Sequence, residues 1–315
     1  MTGRLKDRSG FALVLTLVIT ALMVAVVVEM IHQVYVDVSL SRGFRDGQQA
    51  SILAESGVTG GARLLQRALS NRAYTSLSDK WAEPIKLDDE VGALVITIAE
   101  ESARINLNDL VYENGQYQDF TLAALKRLGR RLQLPEELWG SLADWLDSDD
   151  LPNSSGGVES SYYRSLKPGY DAHDGKLATI TELSLVRGFT PELFGKLQPF
   201  VTIWSELPLA SSKININTAP KEVLAALDDG IDDRMADSIM ERRRLTPFKS
   251  TGELSQVSGL NPGAVSRLSG SSSISVKGNL FRIIAVARVK DAARTVEAVV
   301  RLGGNAPEYL TWLEY

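Results

Sequence analysis

The chain has 315 residues, 44% of them hydrophobic and 23% charged, with a formal net charge of -5; this length suits about two domains, and the acid excess gives no general anion-binding surface. It has no cysteine and two histidines, His32 and His173. Disulfides, thiolate catalysis and Cys-ligated metals are thereby excluded, and neither histidine sits in a recognisable triad or zinc motif.

Residues 11–28 are eighteen in a row without a charge, the threshold for spanning a hydrocarbon core about 30 Å thick. Arg4, Lys6 and Arg8 precede them, so the positive-inside rule holds the N-terminus in the cytoplasm and sends the rest across. A secretory signal would end in a small-x-small cleavage site, whereas this run ends in "VAVVVEM" and stays with the protein. From Glu29 to about Leu69 there is no proline, and apolar residues recur at helical spacing past Gly43, Gly47, Gly57, Gly60 and Gly61. Periodicity supports two readings equally: one long helix, or an anchor followed by a separate amphipathic helix. In the first, Gly43, Gly47 and the apolar ridge from Phe11 to Val38 let neighbouring helices approach closely.

Beyond the helix, "ALVITIAEE" reads as a strand, and "FRIIAVARV" with "TVEAVVRL" reads as a hairpin around the turn "KDAAR". In its second arm Val296, Ala298, Val300 and Leu302 alternate with Thr295, Glu297 and Arg301, which predicts one wet face. "EYLTWLEY" adds an edge strand. Between these, "FTLAALKRLGRRL", "PEELWGSLADWL", "TPELFGKLQPFV", "APKEVLAAL" and "DRMADSIMERRR" have helical spacing and helix-start residues. The layout is an α+β head with a large all-α domain inserted into it. The expected boundaries are a leader at 1–10, a transmembrane and assembly helix at 11–70, a head at 71–118 and 271–315, and the insert at 119–270.

The helical region repeats. "RINLN" at 104–108 matches "KININ" at 213–217, and Glu182, Leu183, Ser184, Val186, Gly188, Pro191 and Leu197 match Glu253, Leu254, Ser255, Val257, Gly259, Pro262 and Leu268. Two related subdomains of SAM-like or helix-hairpin-helix-like kind follow, the first carrying an extra acidic loop. In that loop Asp144, Asp147, Asp149 and Asp150 lie within seven residues and precede Glu159. Crowded carboxylates either face solvent or share a cation such as Ca²⁺. The loop is no EF-hand, because Pro152 stands where that motif needs glycine. Nothing in it supplies a substrate cleft, so a catalytic carboxylate pair is not expected, and the chain reads as no enzyme.

The second subdomain, "NINTAPKEVLAALDDGIDD" onward, is similar to helix-hairpin-helix modules that grip DNA phosphates. Such a module uses a Gly-x-Gly hairpin and nearby cations. Here Asp232 takes the second glycine position, Asp228, Asp229 and Asp233 surround it, and Arg242, Arg243 and Arg244 are the only basic cluster. An anchored DNA-binding protein is therefore the alternative function, and nucleic acid is not the expected partner.

The junction "RSG" then "FALVLTL", a basic leader ending in glycine before a phenylalanine, is similar to a type IV prepilin cleavage site at Gly10/Phe11. With Leu15 where most prepilins have glutamate, the long helix, "INLND", "DWLDSDD", "ININTAPKEVLAAL" and "YLTWLEY", the whole chain resembles the minor pseudopilin K family of type II secretion. That resemblance implies removal of the leader by prepilin peptidase and N-methylation of Phe11. It also implies a single-pass inner-membrane protein with a periplasmic head, at the tip of the pseudopilus. There it would assemble with the I, J and H types and the inner-membrane secretion platform to initiate the fibre and support export. Leu15 fits a subunit with no predecessor whose terminal ammonium would need a carboxylate. The resemblance also implies structural calcium, with Asp147, Asp149 and Glu159 as side-chain ligands, Asp144, Asp150 and Glu182 as further candidates, and carbonyls near Leu151 contributing.

Overall fold

The computed structural model describes residues 9–112, 114–153, 156–206 and 211–315; residues 1–8 of the expected leader lie outside them. Helix α1, Ser9–Leu69, runs unbroken for 61 residues, about 90 Å at roughly 1.5 Å per residue. The single-helix reading is the one the chain adopts. Its N-terminal part is exposed throughout and reaches a mean hydropathy of 3.0 over eighteen residues, long and apolar enough for a single-pass membrane anchor. Past residue 28, Met30, Ile31, Val34, Tyr35, Leu40 and Phe44 still stand exposed.

At Asp46 the helix meets the head. Ala50, Ala54, Val58, Ala62 and Leu65 recur every three or four residues and are buried, forming the stripe that packs on a sheet. Gly57 sits in this stripe because a Cβ there would stand 3.0 Å from Ala285 Cβ and Leu94 Cδ1. Gly47 differs from expectation: it is buried, and its Cβ would meet the Arg294 guanidinium at 3.2 Å. It therefore seats the helix on its own head and cannot face a neighbour, whereas Gly43 is open.

After α1 come β1 (Ile85–Asp88) and β2 (Ala93–Glu100). The helical region follows with β3 (Ile105–Asn106), α2 (Asp119–Leu132), α3 (Leu138–Leu146), α4 (Ser160–Arg164), α5 (Pro191–Leu197) and β4 (Val201–Thr202). Its second half holds β5 (Ile214–Asn215), α6 (Lys221–Ala226), α7 (Asp233–Leu245), α8 (Pro262–Gly270) and β6 (Ile274–Ser275). The chain then returns through β7 (Leu280–Val289), β8 (Ala292–Arg301) and β9 (Glu308–Glu314). The head sheet has the order β1-β2-β7-β8-β9, all neighbours antiparallel.

The hairpin turn is tighter than "KDAAR": Val289 pairs with Ala292, leaving Lys290 and Asp291 as the turn. Lys290 takes a left-handed φ of 51°, and its ammonium holds the buried Asp46 at 3.0 Å, keeping that carboxyl below the usual range. Val296, Ala298 and Val300 are fully buried beneath α1, as the alternation predicted.

Two hydrophobic cores divide the molecule. One joins α1 to the sheet, and the other runs from Ile105 to Ile274. Ile105, Leu107, Leu110 and Val111 belong to the helical core, so the insert begins near 105 and not at 119. Its position on the head follows from the sheet register. Ala93 at the start of β2 pairs with Arg288, near the turn that holds Asp46. Glu100 at its other end lies near the far end of α1, where Thr75 N donates to Val276 O at 3.0 Å and Lys277 Nζ to Arg72 O at 2.8 Å. The helical domain thus leaves and rejoins the head at the end farthest from the apolar part of α1.

Candidate functional site

Each helical repeat is closed by the same device. Asn108 donates from Nδ2 to Leu177 O and Ile203 O and accepts from Leu177 N, at 2.7 to 3.0 Å. Asn217 does the same with Phe248 and Val276, at 2.8 to 3.3 Å. Asn106 and Asn215 each accept the N–H two residues on at 3.0 Å, and β3–β4 and β5–β6 are matching two-residue parallel pairs. The repeated "IN" dipeptides carried this signal, although their spacing alone did not reveal the asparagine clips.

Inside the first clip lies the acidic loop. Helix α3 ends with Asp147 as its C-cap, and Glu159 is the N-cap residue of α4. One carboxylate oxygen from each of Asp147, Asp149 and Glu159 lies within 4.8 Å of the others. Asp147 and Glu159 are 1% and 5% exposed and Asp144 is fully buried. Asp144 Oδ2, Asp147 Oδ1 and both oxygens of Glu159 are buried with no hydrogen-bond partner among the described residues. Burial first, and then repulsion by the neighbouring aspartates, pushes Asp147 and Glu159 up to about 7, with Asp144 raised for the same leading reason. Bare buried carboxylates cost several kcal/mol unless paired, so this all-oxygen donor set fits a hard cation. The loop wraps an aromatic floor, with Trp145 and Tyr163 edge to face at 5.1 Å and Tyr163 against Tyr170 at 5.4 Å.

The other expected ligands separate. Asp144 stands behind the cluster, with Oδ1 accepting from Asn153 N at 2.8 Å. Asp150 is exposed and outside the converging trio. Glu182 stands outside the trio: Oε1 takes the N–H groups of Ala178 and Thr179 at 3.0 and 2.8 Å, and Oε2 contacts His173 at 2.9 Å. Its repeat counterpart Glu253 caps Lys249 N at 3.0 Å in the copy without an acidic loop. That glutamate is part of the repeat framework.

The hairpin acids of the second subdomain are also consumed within the chain. Asp228 holds Arg267 at 2.7 Å, Asp229 holds Arg127 of α2 at 2.7 Å, Asp233 holds Arg131, and Asp232 caps α7 by accepting from Met235 N at 2.8 Å. Gly230 N, the donor a phosphate would need, is given to Asp228 Oδ1 at 2.8 Å. Arg243 is buried on Ile216 O and Ala219 O, Arg242 bonds Gln256, and Arg244 bonds Glu241. The hairpin therefore binds arginines of its own chain, and the DNA-binding alternative is not supported.

The expected cleavage and tip positions Gly10, Phe11 and Leu15 lie on the exposed N-terminal part of α1, with Leu15 48% exposed. Two junction residues escaped the sequence reading. Glu101, fully buried, accepts from Thr202 Oγ1, Arg282 Nε and Arg104, at 2.5, 2.7 and 2.9 Å. Glu100 accepts from Thr75 and Asn215 at 2.9 and 2.7 Å without a cation. Adjacent carboxylates thus tie the head to each helical repeat.

The two repeats coincide with two family models, both described as type II secretion system protein K, that match residues 103–206 and 214–276 and together span just over half of the chain. The chain belongs to the type II secretion system protein K family. A type II secretion system protein K from Pseudomonas aeruginosa is 26% identical over 95% of this chain and 90% of its own length. Another from Klebsiella pneumoniae is 29% identical over 69% of this chain and 68% of its own. One chain of the GspK-GspI-GspJ complex of enterotoxigenic Escherichia coli superposes with a TM-score of 0.75 at 23% identity, covering 87% of this chain and 99% of that one, which establishes the fold. As a member of the protein K family the chain is a minor pseudopilin of type II secretion, an envelope protein with an apolar helical anchor.

Proposed function

We propose that this protein K crowns the pseudopilus and initiates it, anchored in the inner membrane with its head in the periplasm. The observation that carries the reading is the place of the helical domain. It leaves and rejoins the head beside the far end of α1, at Thr75, Val276 and Glu100. A subunit stacked above would meet it, whereas subunits below meet only α1. Leu15 supports the same place, since a first subunit has no predecessor whose ammonium must be neutralised. The exposed apolar side chains from Phe11 to Phe44 would pack against sister helices of the I and J types, which accompany protein K in the similar crystal structure, and of the H type. Prepilin peptidase would cut at Gly10/Phe11, with methylation of Phe11, and the secretion platform would receive the assembly. No catalysis is assigned to it.

Calcium belongs to this reading as a structural ion held by Asp147, Asp149 and Glu159, with Asp144 behind them. It would neutralise carboxylates whose oxygens have no other partner among the described residues and so hold the loop on the first repeat. The tip assignment is tested by imaging pseudopili assembled with a labelled copy of this chain. One copy at a fibre end is the expected result, and label spread along the shaft would refute it.

A further inference from the structure

We propose that the outer edge of β9 docks an extended strand of a different polypeptide, one that places a basic residue opposite Glu314 and an apolar residue opposite Trp312. Among the described residues no strand pairs with that edge. Thr295 and Tyr315 exchange both backbone bonds, at 2.8 and 3.0 Å, which sets the phase of the ladder. Leu313 and Thr311 then face β8, while Trp312 and Glu314 turn their N–H and C=O groups to the open edge. Trp312 lies opposite Ala298 and Glu314 opposite Val296, both buried beneath α1, so the two side chains share the α1 face. Tyr309 stands beside Trp312 with ring centroids 5.4 Å apart, and the two residues are each 39% exposed.

The opposite edge is built otherwise. Strand β1 has four residues, two of them Lys86 and Asp88, and runs into Asp89 and Glu90; short, charged edges resist pairing. Strand β9 has seven residues and neither lysine nor proline.

Charge selects the occupant. Glu308 is already paired with Arg301 at 2.8 Å. Glu314 is exposed and accepts from Ser51 Oγ, and no cation pairs with it among the described residues. A second copy fits poorly: β9 has no lysine or arginine to set opposite Glu314 in any register, and antiparallel self-pairing centred on Thr311 would set Glu308 opposite Glu314 twice, where like charges directly opposed are destabilising. A foreign antiparallel strand with a basic-x-apolar step would neutralise Glu314 and cover Trp312 while completing the edge bonds. This inference does not rest on the tip reading.

The test uses the full chain in detergent and two synthetic alternating valine-rich peptides, one with lysine two residues before a leucine and one with glutamate in its place. Fluorescence anisotropy should show the lysine peptide binding about tenfold tighter, and hydrogen exchange should show new protection at the Trp312 and Glu314 amides. Glu314→Lys should reverse the preference. Glu314→Gln, which keeps an acceptor for Ser51, should abolish it. Equal binding of both peptides, a preference unmoved by either variant, or protection away from β9 would overturn the proposal. So would protection of the same amides that grows with protein concentration in the absence of peptide, since that marks a second copy as the occupant.

Discussion

The two helical repeats share one frame and differ in what fills it. Both are closed by an asparagine clip, a parallel two-residue bridge and a glutamate cap. In the second, every hairpin aspartate has an N–H or an arginine. In the first, four buried carboxylate oxygens from Asp144, Asp147 and Glu159 have no partner among the described residues. One shared frame thus carries a unit whose acids are all partnered and a unit whose acids are not.

The largest break in that comparison is expected from removing the ion. With calcium at about 1,000 times its dissociation constant the stabilisation is about 4 kcal/mol, so chelation should lower the melting temperature of the helical domain by about 10 °C. Asp147→Ala should abolish the shift and Asp228→Ala should leave it intact; scanning calorimetry of the full chain checks both. An unchanged curve on chelation would reject the metal.

Next are the clips. Asn108→Ala and Asn217→Ala each strand buried backbone groups, at about 3 kcal/mol. They should cost similar stability in excess calcium, measured by denaturant unfolding. Only Asn108→Ala should also weaken calcium binding, because only its clip closes the acidic loop.

The head ties give a smaller effect with a defined sign. Burial pushes Glu100 up to about 7, against about 4.3 in an unfolded chain. Between those values the folded state alone keeps the proton, so the contribution is full below about 4.3 and is lost as pH rises through about 7. Melting curves in saturating calcium should therefore show stability falling across that window by on the order of 2 kcal/mol, with Glu100→Gln flattening the fall. Smallest is Arg127→Ala, which removes the partly exposed bridge to Asp229 between the repeats. A loss under about 1 kcal/mol is expected, and it should shrink further in high salt.

Much of this was legible in the residues. Helix α1 has no proline and carries an i, i+4 stripe, and β7 and most of β8 alternate, with the buried Val299 as the exception, so each element declares its period over many residues. Strand β1 was missed because "IKLD" is short and half charged, and α4 because five residues carry no period. The four two-residue strands have no sequence signature at all; only the repeated "IN" marks two of them. Of the acids crowded in the first loop, Asp147, Asp149 and Glu159 are the three whose oxygens converge. Glu182 lies apart from them on its own N–H donors, since a carboxylate that caps a turn and one left without a donor look alike in sequence. Gly47 misled: a small residue on a helix admits whatever is adjacent, and here that is its own Arg294.

Intact-mass spectrometry of the protein extracted from the membranes of secreting cells reads the assembly assignment most directly. The expected result is a chain beginning at an N-methylated Phe11. A chain still beginning at Met1 would contradict it.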